Sequence, residues 1–359
     1  MRTQRILLRL TLLLIAMTAT VAGTIVPIPG TVRVRPVFDK SDIVCECVVR
    51  KILNVHDHQM NVDGVLRTVR DVTATVDVED LYKQTRGGRG NTAVTVEEHS
   101  PQNPLGPGSI LESMQGKSAI VFLVDDKNND VFEFSDPFIG ATTFERIPRQ
   151  SNAAGIAKLE GTLVAIATRS PKEDQAKALH LLQGFDQLSD NSSRTITAVS
   201  QSQNPEVAFA AIAVLLKART PTSVELLVQK LREYTGATEP MSVFTIGIEL
   251  GQFKDERARP VLESLLNSRF ESIRTGALEG LRSIKSPESG AALIRSLDDP
   301  SQRVQYIAVI TLAEIFNKGD ETYGPSMPLF ANHPLQYIAA WKKWWAEREQ
   351  RLPPATNSH

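Results

Sequence analysis

Two observations predict a β-then-α fold, a small Greek-key β-barrel followed by an α-solenoid of paired helices. Apolar residues recur with a period near two from Arg33 to Arg149, and near 3.6 from Ser151 onward. The second half also matches itself at shifts of 31 and 35 residues. A fixed period of that size is the mark of stacked structural repeats.

In the first half, five segments read as strands: Asp42–Val49, Val65–Val78, Ala93–Val96, Ala119–Val124 and Val131–Phe134. Ala119 to Val124 is a continuous apolar run, so that strand is expected to be buried on both faces. Turn signals separate the segments: Asp63-Gly64, Gly87-Gly88-Arg89-Gly90, Pro104 to Gly108, and Asn128-Asn129-Asp130. Short strands with long connections suit a Greek-key barrel.

Three stretches carry a resemblance: Ser41-Asp42-Ile43-Val44, Val76 to Lys83, and Gly116 to Leu123. Together they look like the netrin/TIMP-like barrel family. There an early strand follows a Ser-Asp or Ala-Asp pair, a later strand ends in a Lys at a turn, and a Gly precedes the central apolar strand. The resemblance implies an OB-like barrel. Most members of that family carry disulfides that are missing here. Its metalloprotease-inhibiting members use a Cys at the mature N-terminus, which a mature chain starting at Gly23 lacks. Protease inhibition therefore rests on the barrel analogy alone.

In the second half, candidate helices run over roughly 154–168, 172–187, 192–202, 205–218, 222–233, 240–251, 255–267, 270–283, 287–297, 300–316 and 335–350. Asn204-Pro205, Thr220-Pro221, Ser286-Pro287 and Asp299-Pro300 mark starts. Such side chains cap the first backbone N–H groups, and Pro loses nothing at the first helical position. A shift of 31 places Ile273, Ala277, Leu278, Leu281 and Ile284 on Val304, Ala308, Val309, Leu312 and Ile315. A shift of 35 places Ala211, Leu215, Leu227 and Leu231 on Ile246, Leu250, Leu262 and Leu266. No single helical pair can bury its own apolar face, so neighbours must stack. With the helix openings Asn204-Pro205-Glu206-Val207 and Pro300 to Val304, the pattern resembles the short bacterial form of the HEAT-repeat family. The combined expectation is a small OB-like barrel followed by a right-handed α-solenoid of HEAT-like helical pairs. Asn317 to Pro334 reads as loop. Trp341, Trp344 and Trp345 then lie on one face of a last helix, which reads as a cap on the open end of the stack; an aromatic contact patch is the alternative.

The resulting domain plan is a signal peptide over 1–22, a small β-barrel domain over 23–150, the solenoid over 151–351 and a disordered tail over 352–359. The leader rests on Arg2, Arg5 and Arg9 before the apolar run Leu10–Val21, with Thr20-Val21-Ala22 as a cleavage site. That run is short for a membrane span; an uncleaved anchor is the alternative. The mature protein is expected in the periplasm or secreted, without stable membrane insertion.

Charge argues against nucleic acid as a partner. Residues 23–150 hold 14 Lys and Arg against 18 Asp and Glu, and residues 151–359 hold 23 against 23. Neither has the basic excess that phosphate binding needs. Cys45 and Cys47 are the two cysteines. At i and i+2 of a strand their Cα atoms lie about 6.6 Å apart, a poor fit to a disulfide without a bulge. Two small buried thiols on one strand face is the expected state.

No catalytic or metal motif is complete in the pattern. His56-Asp57-His58, with His99 and Asp63 as candidate neighbours, is the best metal-like cluster. His-x-His on a strand can put two imidazoles on one side. The segment precedes Asp63-Gly64 and lacks a third certain ligand, so a solvated turn is expected and no metal or cofactor. Gly87 to Gly90 lacks the Gly-Lys-Ser/Thr ending of a phosphate loop. Gly108-Ser109 has no local partner pattern. Asp125-Asp126 and Asp298-Asp299 read as solvated turn and cap residues. The expected function is a non-enzymatic interaction or scaffold protein that binds a protein or peptide through the helical repeats. The alternative is an enzyme or accessory subunit with a site at the barrel–solenoid junction.

Overall fold

The computed structural model describes residues 19–21, 24–26, 34–62, 65–85, 93–101, 109–125, 131–135, 141–145, 147–148, 154–220 and 222–351. Most of the expected leader over 1–22, the expected tail over 352–359 and the expected turn signals at 63–64, 86–90, 102–108 and 126–130 lie outside the described residues. Ala19–Val21 (β1) pairs antiparallel with Thr24–Val26 (β2). Two compact units follow from the packing, residues 1–219 and 220–359.

A six-stranded mixed sheet forms most of the first unit: β3 (Ile43–Val62), β4 (Val65–Gln84), β5 (Ala93–Pro101), β6 (Ser118–Val124), β7 (Val131–Phe134) and β8 (Ala141–Phe144). Its order is β3-β4-β5-β7-β6-β8, and β3 also pairs with β6. That last pairing turns the sheet into a near-ring in which β5 and β7 run parallel and the other neighbours antiparallel. This is the OB-like Greek-key arrangement. On β4, Val72, Ala74 and Val76 face the core while Thr73, Thr75 and Asp77 are half-buried, the period-two alternation of a sheet with one dry face. On β6 both faces are buried, as its unbroken apolar run requires.

The sequence missed three pieces here. Helix α1 (Val34–Lys40) has seven residues, too few for a helical period to show. It buries Val34 and Phe38 and packs on β6. Lys83 Nζ donates to the carbonyls of Phe38 and Asp39 at 2.8 and 2.7 Å, which satisfies the open C-terminal end of α1. Helix α2 (Ile110–Ser113) enters between β5 and β6, with Leu111 and Met114 wholly buried in the barrel core. Strand β8 is the third. In addition, β3 and β4 each run 20 residues, well past the expected ends, and form a long hairpin arm.

Cys45 and Cys47 are free, buried and part of the barrel core. The Cys47 thiol is pushed up by its contact with Cys45 and by burial, which keeps it protonated and unreactive.

Four helices complete the first unit: α3 (Gly155–Arg169), α4 (Lys172–Leu182), α5 (Asp190–Val199) and α6 (Pro205–Lys217). α3 packs on α4 and α5, and α6 on α4 and α5. Two polar contacts tie helices to sheet. Lys158 Nζ lies 2.5 Å from Asp80 Oδ1 and over the ring of Tyr82, and the Glu145 N–H donates to Asp174 Oδ2 at 2.7 Å. Asn204 caps α6 through the Val207 N–H, as the Asn-Pro signal predicts.

The second unit contains α7 (Ser223–Glu233), α8 (Met241–Leu250), α9 (Arg259–Leu265), α10 (Glu271–Ile284), α11 (Gly290–Ser296), α12 (Gln302–Ile315), α13 (Met327–Asn332) and α14 (Pro334–Arg351). α8, α10, α12 and α14 pack side by side in sequence order, and α9 and α11 back onto α10 and α12. The 31-residue shift is therefore one step along a row of helices. Two expected helices, 255–267 and 287–297, open as 3-10 turns before α9 and α11. The expected loop over 317–334 holds α13, six residues long.

Candidate functional site

The repeats are held by two devices that the sequence pattern did not reveal. The first is backbone contact. A Cβ added at Gly276 on α10 would run into the carbonyl oxygen of Gly247 on α8, and one at Gly247 into that of Ser272. The second is a buried ion pair. Arg274 Nε and Nη2 donate to Asp299 Oδ2 and Oδ1 at 2.6 and 2.9 Å, and Nη1 donates to the Ser268 carbonyl at 2.9 Å. Asp299 Oδ1 also accepts the Ser301 N–H at 2.8 Å, and Ser301 caps α12. The expectation that Asp298 and Asp299 are both solvated fails for Asp299, whose side chain is 7% exposed. Its charge tolerates burial because a bidentate guanidinium and a backbone donor replace water. Asp298 does reach solvent and pairs with Lys342.

Along α10 and α12 runs a ridge of charge that is half-buried at Glu279 and Arg282 and exposed at Glu314. Glu279 Oε2 lies 3.2 Å from Arg282 Nη1, and Arg282 Nη2 lies 2.6 Å from Glu314 Oε1 on the next helix. Burial raises the Glu279 carboxyl, opposed by Arg282. Burial also works against the Arg282 charge, but the hydrogen bond to Glu314 and the charges of Glu279 and Glu314 raise it overall. Arg303 is exposed beside this ridge. On the other row, Glu263, Asn267, Arg295, Ser296 and Asp298 line a shallow polar groove of about 200 Å³. Small-molecule sites usually enclose ~300–1,000 Å³, so the groove suits a protruding side chain better than a whole ligand.

The far end carries the three tryptophans. Trp341 is wholly buried, and its Nε1–H donates to the Tyr323 carbonyl at 2.8 Å. Trp344 and Trp345 are half-buried against Phe316 at ring separations of 5.0 and 5.8 Å. The Arg348 guanidinium lies 4.9 Å from the Phe316 ring. The indoles thus close on the end of α12, the geometry of a cap.

The other residues singled out in the sequence fall as follows. His56, Asp57 and His58 lie within β3, so the solvated-turn expectation is corrected: pairing with β4 continues to Val62↔Val65. Asp57 is engaged by Arg70 Nε and Nη2 at 2.8 and 3.0 Å, which lowers its carboxyl. Asp63 and Gly87 to Gly90 lie outside the described residues. Ser109, which had no partner in the sequence pattern, is the N-cap of α2. Glu98 accepts from Ser109 Oγ at 2.6 Å and from the Ile110 and Leu111 N–H groups at 2.8 and 2.9 Å. A buried carboxylate on a helix N-terminus is well placed. Asp125 is buried, and its N–H donates to Asp42 Oδ2 at 2.9 Å.

Residues 244–313 match the family model for HEAT repeats. No curated protein matches the chain. Among solved structures, the complex of CpcE and CpcF of phycocyanin lyase from Nostoc sp. PCC7120 is similar at 16% identity and a TM-score of 0.37, over 51% of this chain and 73% of that one. An engineered protein is similar at 16% identity and a TM-score of 0.33, over 52% of this chain and 96% of that one.

Proposed function

We propose that the chain is an exported, non-enzymatic scaffold that holds a protein or peptide partner on its helical repeats. The observation that carries this reading is the HEAT-repeat match over 244–313, on helices whose apolar faces are used up by one another. What such an array leaves for a partner is the partly exposed Glu279–Arg282–Glu314 ridge with exposed Arg303 beside it. Extended repeat surfaces bind chains rather than small molecules. The barrel would serve as a second docking module. Its resemblance to netrin/TIMP-like domains is supported by the β3-β4-β5-β7-β6 order with parallel β5 and β7. Export rests on the leader residues Arg2 to Ala22.

The test is affinity capture by the full-length mature protein from its native compartment, compared with an Arg303→Glu/Glu314→Gln variant. One specific partner should be retained by the parent and released at least about tenfold more readily by the variant, as for an interface hot spot. Equal retention by both would remove the ridge from the account.

A further inference from the structure

We propose that the outer face of the tryptophan cap takes an acidic segment of a partner protein, which sets a carboxylate on Arg348 and an apolar side chain against the indoles. Two cations without counter-ions carry the argument. The Arg348 guanidinium lies 4.9 Å from the Phe316 ring, 5.7 Å from Trp344 and 6.0 Å from Trp345. Lys318 Nζ lies 4.5 Å from the Tyr323 ring and 5.3 Å from Trp344. Both cations are half-buried, and neither forms an ion pair among the described residues. The acids near them in sequence are engaged elsewhere or exposed. Glu347 lies 3.7 Å from Arg351, Asp320 accepts the Thr322 N–H at 2.9 Å, and Glu321 and Glu349 face solvent.

A cap needs only apolar cover, so the pair of charges is more than the capping role requires. Ring faces attract cations and offset part of their lost hydration. The C-terminal end of α12 adds about half a negative charge against two positive ones. A counter-ion is therefore still favoured, and more so than at a fully solvated cation.

The shape of the site names that counter-ion. Arg348 Nε is shielded from solvent and makes no hydrogen bond, whereas its two Nη groups are not shielded. The rings thus hold the guanidinium by its inner edge and leave a fork of N–H donors open, a fit for both oxygens of one carboxylate. Stacking fixes the fork beforehand, which lowers the ordering cost of binding. Around it Phe316, Tyr323, Trp344 and Trp345 are half-buried, so part of each ring is open. The platform is firm: a Cβ on Gly290 would overlap the Trp345 ring, and Trp341, one turn earlier, is wholly buried. Trp, Tyr and Arg together are the residue types that dominate interface energetics. A carboxylate with an apolar neighbour uses both halves of the site; a simple anion would use the fork alone.

The inference rests on the reading that the chain binds protein, but not on the Glu279–Arg282–Glu314 ridge. The experiment uses the full-length chain and a short labelled peptide, acetylated and amidated, that carries Asp and Glu beside Phe. Binding is read by anisotropy and by the emission of the chain's tryptophans, all of which lie at 341–345. The expected result is saturable binding that shifts this emission and weakens severalfold as salt rises from about 50 to about 500 mM. R348Q should weaken binding at least about tenfold, and K318Q severalfold. R348K serves where R348Q fails to fold; it keeps the charge, loses the fork and should also bind weakly. Arg303→Glu should bind as the parent does, so this site and the ridge stand or fall separately. A peptide with Asn and Gln in place of the acids should not bind, nor should one whose sole carboxylate is its C-terminus. No saturable binding, affinity unchanged in R348Q, unchanged tryptophan emission, or preference for the free C-terminus would each overturn the proposal.

Discussion

In the barrel, partners come from far apart in the chain: Cys45 opposes Val121, and Thr95 opposes Val131 across the parallel pair. In the helical array each helix meets the one about 30 residues on, as Gly247 meets Gly276 and Arg274 meets Asp299. The contrast teaches where each region is vulnerable. A ring of strands closes only when its most distant pairing, β3 with β6, is made, so its folding waits on contacts far apart in the chain. A row of helices is a chain of neighbour contacts, and a lesion acts at one interface.

The largest expected effect is at the buried ion pair. Arg274→Ala leaves the Asp299 charge enclosed and should cost about 3–5 kcal/mol. Paired replacement of Arg274 by Met and Asp299 by Leu should recover most of it. All three tryptophans lie at 341–345, so denaturant unfolding followed by tryptophan emission reads this region. An unchanged midpoint for the single variant would show that solvent reaches the pair. Next is Gly276→Ala, where backbone must separate from backbone, at about 2–3 kcal/mol on the same readout. A smaller shift than a surface Gly→Ala control would mean that α8 and α10 slide freely.

On the barrel side, Glu98→Ala removes the acceptor of three donors at α2. We expect about 1–3 kcal/mol and faster amide exchange at Ile110 and Leu111. Protection equal to the parent's would show that Ser109 alone caps the helix.

The smallest expected effect is a slope with pH. His180 on α4 lies 3.9 Å from Glu206. Burial lowers its pKa from 6.5, and Glu206 opposes the shift. The neutral ring is the form the fold accepts. Its stabilisation is complete above the unfolded value and is lost as pH falls through 6.5 toward the lower folded value. His180→Gln should flatten the fall in stability of the first unit between pH 7.5 and 5.5, measured by exchange in α4. A steeper fall in the variant would mean that Glu206 outweighs burial and raises the His180 pKa.

What the sequence disclosed follows the same division. Helices repeat a period of 3.6 and their neighbours repeat at 31 and 35, so α8, α10 and α12 were legible from Ile246, Leu250, Ile273, Leu281, Val304 and Leu312. The barrel's core strands were legible from Val72, Val76 and Ala119 to Val124. Its arm was not, because Asn54, His56, Asp57 and Gln59 alternate without an apolar face and look like turn residues. Glu98 with Ser109, and Arg274 with Asp299, meet only once the chain is folded. No local spacing could announce them.

On the proposed reading, partners are held by the repeat ridge. A photo-crosslinking residue placed at exposed Ser283 on α10, and separately at exposed Leu53 on the barrel arm, tests it in the native compartment. The expected result is one discrete protein adduct from position 283 that disappears with Arg303→Glu. An adduct from position 53 with none from 283 would contradict it and move the binding surface to the barrel.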